Sequence, residues 1–281
     1  MESWQRPQRT IPAMLAKRVL VTIILLPIGL VLIWLGGIPY YLLIALILGL
    51  AAWEYTKLFR AGGLQPASVL ILAGVLLLVA GRAIDGFESG PWMISLLILA
   101  AMTYHLVAYE RGQEQPGTNF AVSLSGIFYL GWIGAYLISI RSLPNGAWWT
   151  LTIILAAVWA DTGGFVIGKR FGKHKLSPRV SPKKTWEGYL GGILFAMILS
   201  PLLAAGWHLR TPAVTPLDGL IIGAVISVLA PLGDLGESML KRQFGLKDSS
   251  NLLPGHGGAM DRIDSWIWAA AIGYYLVLWL K

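Results

Sequence analysis

The residues of this sequence that can do chemistry are concentrated near its C-terminal end, between two apolar runs. The first run covers residues 217–232 and leads directly into Asp234, and the second covers residues 266–280. Acids, bases, hydroxyls and glycines fill the segment between the two runs. Charge near a bilayer costs free energy, so a cluster of charges in this position needs a reason.

Helical spacing offers one reason. If the first apolar helix continues past residue 232, four polar residues fall at i, i+3, i+4 and i+7 on one face: Asp234, Glu237, Ser238 and Lys241. Asp261 and Asp264 share a face in the same way. Converging carboxylates suit Mg²⁺, which commonly bridges one or two carboxylates to substrate phosphates. We therefore predict a metal–phosphate site, and the alternatives are a solvated loop with surface ion pairs or an ion-conducting site.

Bases and glycines accompany these acids. The bases lie at the end of the same predicted helix and beyond it: Lys241, Arg242, Lys247 and Arg262. A turn at residues 254–258 places His256 among glycines, which allow close approach of the backbone to a ligand. We predict that the bases neutralise phosphates and that His256 contacts the ligand.

A second polar region follows the apolar segment 147–168. Asp161 lies inside that segment, and an acid within an apolar helix usually faces a bundle interior or a wet cavity. The loop after it is basic and broken by Ser-Pro turns, and Lys183, Lys184 and Thr185 then lead into the next helix. Bases, hydroxyls and backbone donors near a helix start can bind an anion. The alternatives are a structural, hydrogen-bonded aspartate and a loop that is basic for reasons of topology.

These regions form two long patterns that are specific when taken as a whole. One reads Asp161-Thr-Gly, Gly168, Gly172-Lys173, Leu176-Ser-Pro and Ser181-Pro-Lys183-Lys-Thr185-Trp-Glu187-Gly188. The other reads Ser238-Met-Leu-Lys241-Arg242, Lys247-Asp248 and His256-Gly-Gly-Ala-Met-Asp261-Arg262-Ile-Asp264. Together they resemble the signature of the bacterial phosphatidate cytidylyltransferases (CDP-diacylglycerol synthases). Gly164 and Ala259 depart from the usual family residues, which affects packing more than chemistry.

The resemblance implies transfer of the cytidylyl group of CTP to phosphatidate, giving CDP-diacylglycerol and pyrophosphate in phospholipid biosynthesis. It implies Mg²⁺ and a homodimer, and a second cation would allow a two-metal arrangement. The predicted catalytic residues are Asp234, Lys241, Arg242, Asp261 and Asp264, and the three aspartates are also the predicted metal ligands. The predicted substrate-binding residues are Asp161, Ser181, Lys183, Lys184, Thr185, Glu187, Ser238, Lys247, Asp248, His256, Gly257, Gly258 and Arg262. The attacking phosphate is already ionised, so no general base is expected.

Composition indicates where such a site must sit. Of the 281 residues, 56% are hydrophobic and 13% are charged, about half the usual charged share of soluble domains. This composition predicts an all-α polytopic membrane protein, in which 13 tryptophans and 10 tyrosines suit the bilayer interfaces. The net charge of +8 is assigned to anionic lipid and nucleotide phosphates rather than nucleic acid, because the bases lie in short loops. With no cysteine, disulfides and thiolate metal sites are excluded.

Nine apolar segments can span the bilayer: 19–35, 38–53, 67–80, 92–107, 120–139, 147–168, 189–206, 217–236 and 266–280. The first is interpreted as a retained helix rather than a signal peptide, because no small-residue cleavage site follows it. Nine spans place the termini on opposite sides. Of the 22 lysines and arginines, all but Arg82, Arg141, Arg210 and Lys281 then fall on the N-terminal side. The positive-inside rule predicts a cytoplasmic N-terminus, an outside C-terminus and a multi-pass protein of the inner or plasma membrane.

The predicted organisation is a scaffold of helices over residues 1–117 and a catalytic region over residues 118–281. Glu54 and Lys57 are interpreted as an interfacial ion pair, and His105 and Glu110 as structural residues at a helix end. Competing functions are a CDP-alcohol phosphotransferase or phosphosugar transferase, a cytidylyltransferase acting on an archaeal ether lipid, and a cation transporter. The D-G-x-x-A-R motif of the first is absent from the sequence. A transporter would favour polar breaks in both halves.

Overall fold

The chain folds as a bundle of long apolar helices. The computed structural model describes residues 25–250 and 257–281, together with Ile23 and Leu252. Eight helices within these residues are long and apolar enough to cross a membrane, and they match eight of the nine predicted spans. The first predicted span is helical over Leu25–Leu35, and its beginning lies outside the described residues. The polytopic membrane class is therefore confirmed.

The elements are named here in chain order. After α1 (Leu25–Leu35) come α2 (Gly37–Ala61), α3 (Ser68–Asp85), α4 (Gly90–Glu110), α5 (Pro116–Gly126), a π-helical segment (Ile127–Ile133), α6 (Tyr136–Ser142) and α7 (Gly146–Phe171). Strands β1 (Lys175–Ser177) and β2 (Ser181–Thr185) follow, and then α8 (Trp186–His208), α9 (Pro216–Leu229), α10 (Pro231–Gln243) and α11 (Met260–Leu280).

The basic loop after α7 contains a feature that the all-α prediction missed. Strands β1 and β2 pair antiparallel, with Ser177 opposite Ser181 and Lys175 opposite Thr185. A two-stranded pair has two free edges, so Pro182, which cannot donate a ladder hydrogen bond, is compatible with its strand. The Ser-Pro turns were recognised in the sequence, but strands this short carry no periodicity from which pairing could be predicted.

The polar residues near the C-terminus lie in two helices, α10 and the first turns of α11. Helix α10 follows α9 almost directly, and Pro231 stands in its first turn, where a missing N–H costs little. The two helices together form one apolar span over Pro216–Gln243. Helix α11 begins at Met260, six residues before the predicted span, so Asp261 and Asp264 are helical. The helical spacing predicted for both acid groups is confirmed.

Helix α11 joins the two halves of the chain. It contacts α2 and α6 on one side and α7 and α9 on the other. Its residues Ile263 and Ile267 belong to one buried apolar cluster that also contains Leu48 of α2 and Ile153 of α7. The N-terminus of α11 is therefore positioned by helices from both the first and the second half of the sequence.

Candidate active site

A cavity of about 420 Å³ joins the two polar regions that the sequence places far apart. Asp161 of α7, Lys183 and Lys184 of β2 and Asp234 of α10 all line it. Lys184 Nζ lies 2.7 Å from Asp234 Oδ2, so the basic hairpin forms an ion pair with the acidic helix. Bases and carboxylates thus surround one space, as an anionic ligand requires.

Glycines bring α7 and α8 close enough to form one wall of this cavity. A Cβ atom on Gly188 would lie 2.7 Å from the carbonyl oxygen of Gly164 and 3.0 Å from the Cα of Gly168. A Cβ atom on Gly192 would overlap the carbonyl oxygen of Ala160. Small residues at four-residue spacing allow membrane helices to pack backbone against backbone. The glycines of the first signature region therefore set the distance between α7 and α8.

The start of α8 is fixed by local hydrogen bonds. The buried Thr185 caps the helix, and its Oγ1 accepts a hydrogen bond from Gly188 N at 3.2 Å. Glu187 accepts hydrogen bonds from the backbone N–H groups of Lys173 at 3.0 Å and His174 at 3.2 Å. These two predicted substrate-binding residues thus hold the start of α8 and the beginning of the hairpin whose second strand carries Lys183 and Lys184.

On α10, the polar residues share one face as the spacing predicts. Ser238 Oγ donates a hydrogen bond to Asp234 Oδ1 at 3.2 Å. Lys241 Nζ lies 3.2 Å from Glu237 Oε1, which is an ion-pair distance without hydrogen-bond alignment. Glu237 is buried, and neither of its carboxylate oxygens has a hydrogen-bond partner among the described residues. The Lys241 ammonium therefore compensates the charge of this buried carboxylate.

Asp261 at the start of α11 accepts four hydrogen bonds. Its Oδ1 accepts from Lys241 Nζ at 2.5 Å. Its Oδ2 accepts from Ser249 N at 3.0 Å, from Ser249 Oγ at 2.9 Å and from Gly258 N at 2.8 Å. Gly257 has φ of +83°, and a Cβ atom there would lie 2.6 Å from Asp261 Oδ2. The glycine pair therefore lets the backbone wrap around this carboxylate.

Asp264 lies one helical turn further along α11, against α10. A Cβ atom on Gly233 of α10 would overlap the carbonyl oxygen of Asp264, so the two helices are in backbone contact there. Asp234, the residue after Gly233, is therefore on the helix that adjoins Asp264.

The arrangement fits a Mg²⁺ ion held by one or two carboxylates, and it does not fit an ion held by all three predicted aspartates. Within the described part of the chain, no group of three acidic or histidine side chains is placed to hold one ion. The expected convergence of Asp234, Asp261 and Asp264 on a single point is therefore not found, because Asp261 is turned toward Lys241 and the loop donors. Mg²⁺ held by one or two carboxylates and completed by substrate phosphates remains compatible with Asp234, Asp264 and Glu237.

The other predicted site residues lie around this centre. Arg242 Nε donates to the carbonyl oxygen of Val180 at 3.3 Å, which ties α10 to the turn of the hairpin. Ser181 begins β2, opposite Ser177. The exposed members of the predicted set are Asp161, Lys183, Arg242, Lys247, Asp248 and Arg262. His256 lies outside the described residues, so its predicted ligand contact is not addressed by the structure.

One residue of the site was missed by sequence reasoning. Glu54 of α2 is fully buried, with an exposed fraction of 0%, and it accepts hydrogen bonds from the loop and the first turn of α11. The predicted ion pair with Lys57 is wrong, because Lys57 Nζ lies 3.5 Å from the centroid of the Trp53 ring instead. An acid in an apolar helix is a signal that could have identified Glu54. His105 is buried on α4, with Nε2 2.9 Å from Ser123 Oγ, a contact within the N-terminal helices.

Comparison with known proteins agrees with this geometry. Residues 16–280 match the cytidylyltransferase family. A phosphatidate cytidylyltransferase of Pseudomonas aeruginosa is 36% identical over 95% of this chain and 97% of its own length. Those of a Synechocystis species and of Bacillus subtilis are 34% and 32% identical over 94% and 93% of this chain, and each alignment covers 97% of the relative. The chain therefore belongs to the cytidylyltransferase family.

Proposed function

We propose that this protein transfers the cytidylyl group of CTP to phosphatidate, giving CDP-diacylglycerol and pyrophosphate. The observation that carries the proposal is the cavity at which the basic hairpin meets Asp161 of α7 and Asp234 of α10. Family membership over almost the whole chain and the printed names of the relatives support the substrate pair. The membrane helices around the site suit a substrate whose tails remain in the bilayer.

The reaction is a displacement at phosphorus. A phosphate oxygen of phosphatidate attacks the α-phosphorus of CTP, a new P–O bond forms, and the bond to the oxygen that bridges the α- and β-phosphates breaks as pyrophosphate leaves. Both substrates are anionic, so catalysis depends mainly on positioning and on neutralisation of charge. We assign Lys183 and Lys184 at the cavity, and Lys241 and Arg242 beside it, to neutralising the phosphates. Lys247 and Arg262 extend this basic surface toward the solvent.

The acids divide into two proposed roles. Asp234 and Asp264 would hold Mg²⁺ together with substrate phosphates, and the buried Glu237 offers oxygens for a second cation. Bound there, Mg²⁺ would supply positive charge to the phosphates. Asp261, whose oxygens accept hydrogen bonds from Lys241 and the loop, would orient Lys241 toward the phosphates. Lys184 and Lys241 pair with Asp234 and Asp261, which keeps both bases in the site.

The proposal includes the setting of the enzyme. The N-terminus would lie in the cytoplasm, the C-terminus outside, and the helices in the inner or plasma membrane, with the protein forming a homodimer. The exposed bases of the loop after α7 support this orientation because they lie on the same side of the membrane helices as the site.

The orientation can be tested by cysteine labelling. Since the chain has no cysteine, Arg179→Cys and Asp85→Cys provide single labelling positions. In sealed, right-side-out vesicles, an impermeant thiol reagent should label the Asp85 variant and leave the Arg179 variant unlabelled. Light scattering in detergent measures the oligomeric state.

The direct test is release of pyrophosphate by the detergent-purified protein supplied with phosphatidate, CTP and Mg²⁺. The expected result is release that requires all three and is abolished by EDTA or by replacing CTP with ATP. Mass spectrometry of the lipid product should show CDP-diacylglycerol. If protein of native size and melting temperature releases no pyrophosphate from CTP with phosphatidate, the proposed reaction is wrong.

A further inference from the structure

Glu54 is separated from the C-terminal signature by almost 200 residues, yet its carboxylate lies inside it. Oε1 accepts hydrogen bonds from Ser250 Oγ at 2.5 Å and from Ala259 N at 3.0 Å. Oε2 accepts from Ser249 Oγ at 3.1 Å and from Met260 N at 2.8 Å. Every one of these donors belongs to the segment that precedes or begins α11.

The backbone donors among them are groups that need an external acceptor. The first N–H groups of a helix have no intrahelical partner, and a negative charge at a helix N-terminus is favourable. Glu54 supplies both the acceptors and the charge for the start of α11 at Ala259 and Met260. Because Glu54 belongs to the apolar helix α2, its hydrogen bonds fix the position of the N-terminus of α11 relative to the N-terminal helices.

The same carboxylate is coupled to Asp261 through one hydroxyl group. Ser249 Oγ lies 3.1 Å from Glu54 Oε2 and 2.9 Å from Asp261 Oδ2, and it has a single proton to share between them. A Cβ atom on Gly258 would overlap both Ser249 Oγ and Glu54 Oε2, so the backbone there is packed directly onto this group. A displacement of Glu54 therefore changes the donors that hold Asp261, and with them the position of Lys241.

We propose that Glu54 is a positioning residue for cytidylyl transfer, acting through Ser249 and the start of α11 on Asp261 and Lys241. The inference rests on the proposed function, in which Asp261 and Lys241 belong to the catalytic machinery. It assigns to the N-terminal helices a direct part in forming the active site. The predicted division into a scaffold over residues 1–117 and a catalytic region over residues 118–281 would then not hold for α2.

The test compares E54Q and E54D with the wild type and with E110Q as the control. Glu110 is an exposed acid at the end of α4, so E110Q removes one negative charge without touching the site. E54Q should lower kcat by about 100-fold, as expected for misplacement of reacting groups, while KM for CTP changes by about threefold or less. E54D should recover part of the lost kcat, because it keeps the charge. Hydrogen exchange should increase in E54Q in peptides containing Ala259 and Met260 and stay unchanged in α4.

A wild-type kcat per mole of folded E54Q would overturn the inference. So would a loss of activity that only follows the amount of folded protein. If E54Q does not fold, S249A provides the second test, because it removes the shared hydroxyl and leaves the Glu54 contacts with the backbone of α11. We expect S249A to lower kcat by about tenfold and to be non-additive with E54D, whereas additive effects would contradict coupling through Ser249. D261N, measured in parallel, separates the two claims: normal turnover by D261N refutes the site assignment itself, whatever E54Q does.

Discussion

The two walls of the active site are held together by opposite means. The glycine wall, formed by α7, α8 and the hairpin, depends on residues that have no side chain. At Gly164, Gly188 and Gly192 the backbones of the two helices are in contact. The polar wall, formed by α10 and the start of α11, depends on charged side chains and on backbone N–H groups that donate hydrogen bonds to Asp261. The ion pair between Lys184 and Asp234 joins the two walls.

This difference predicts which changes each wall tolerates. Added volume should disrupt the glycine wall, because tightly packed helices have no space for a new methyl group. Removal of a charged group should disrupt the polar wall, because its buried partner is then left with an unpaired charge or an unsatisfied hydrogen-bonding group. The first kind of change acts mainly on stability and the second mainly on turnover.

The largest effect is expected for Asp261→Asn in the polar wall. The substitution keeps the size of the side chain but removes the charge that pairs with Lys241, and it sets an amide among groups that all donate hydrogen bonds. We expect turnover to fall by about 10³-fold, the upper range for loss of one preorganised group. Pyrophosphate release by the purified variant measures this, with the exposed Asp85→Asn as the control. Near-normal turnover would show that Asp261 has no catalytic part.

The contact between the two walls is tested by Lys184→Ala. This change removes the partner of Asp234 and one base of the cavity, so turnover should fall by about 100-fold. Lys175→Ala, at the exposed first position of β1 in the same hairpin, should leave turnover near the wild-type value. A double variant with Asp234→Asn should lose less than the two single losses combined, because the two residues form one pair. Fully additive losses would argue that Lys184 and Asp234 act separately.

The glycine wall is tested by Gly192→Ala, with Gly206→Ala as the matched control on the same helix. A Cβ atom on Gly192 would overlap Ala160, whereas nothing lies within 4 Å of one on Gly206. Gly192→Ala should destabilise the fold by about 1–3 kcal/mol through overpacking. Gly206→Ala should be neutral or slightly stabilising, since alanine favours helix. Thermal unfolding in detergent compares them. Equal melting temperatures for the two variants would contradict the close approach of α7 and α8.

The smallest effect is expected for Thr185→Ala. It removes the N-cap of α8, a loss of about 1 kcal/mol in helix stability, and loosens the strand that carries Lys183 and Lys184. Thr185→Ser keeps the capping hydroxyl and should behave as the wild type in thermal unfolding. If the alanine and serine variants lose turnover equally while stability is retained, Thr185 has a substrate-binding role that does not depend on its hydroxyl.

Local sequence patterns were sufficient to predict the membrane helices and many residues of the candidate site. Low charge and long apolar runs predict the membrane helices, because a bilayer leaves the backbone few other ways to satisfy its hydrogen bonds. The i, i+3, i+4 and i+7 spacing correctly placed Asp234, Ser238 and Lys241 on one face, because a helix has a fixed period. The first signature region also identified Asp161, Lys183 and Lys184, which line the cavity, although not the pairing of Lys184 with Asp234.

Tertiary structure decided which of these residues meet. Lys184 and Asp234 are 50 positions apart, and Glu54 and Met260 are 206 apart, so no helical period relates the members of either pair. The choice of Asp261 as the partner of Lys241, rather than as one of three converging acids, depends on a loop that wraps around it. The sequence determined which faces carry charge, because periodicity is local. The fold determined which faces adjoin, because that depends on how whole helices pack, down to the glycines that let them touch.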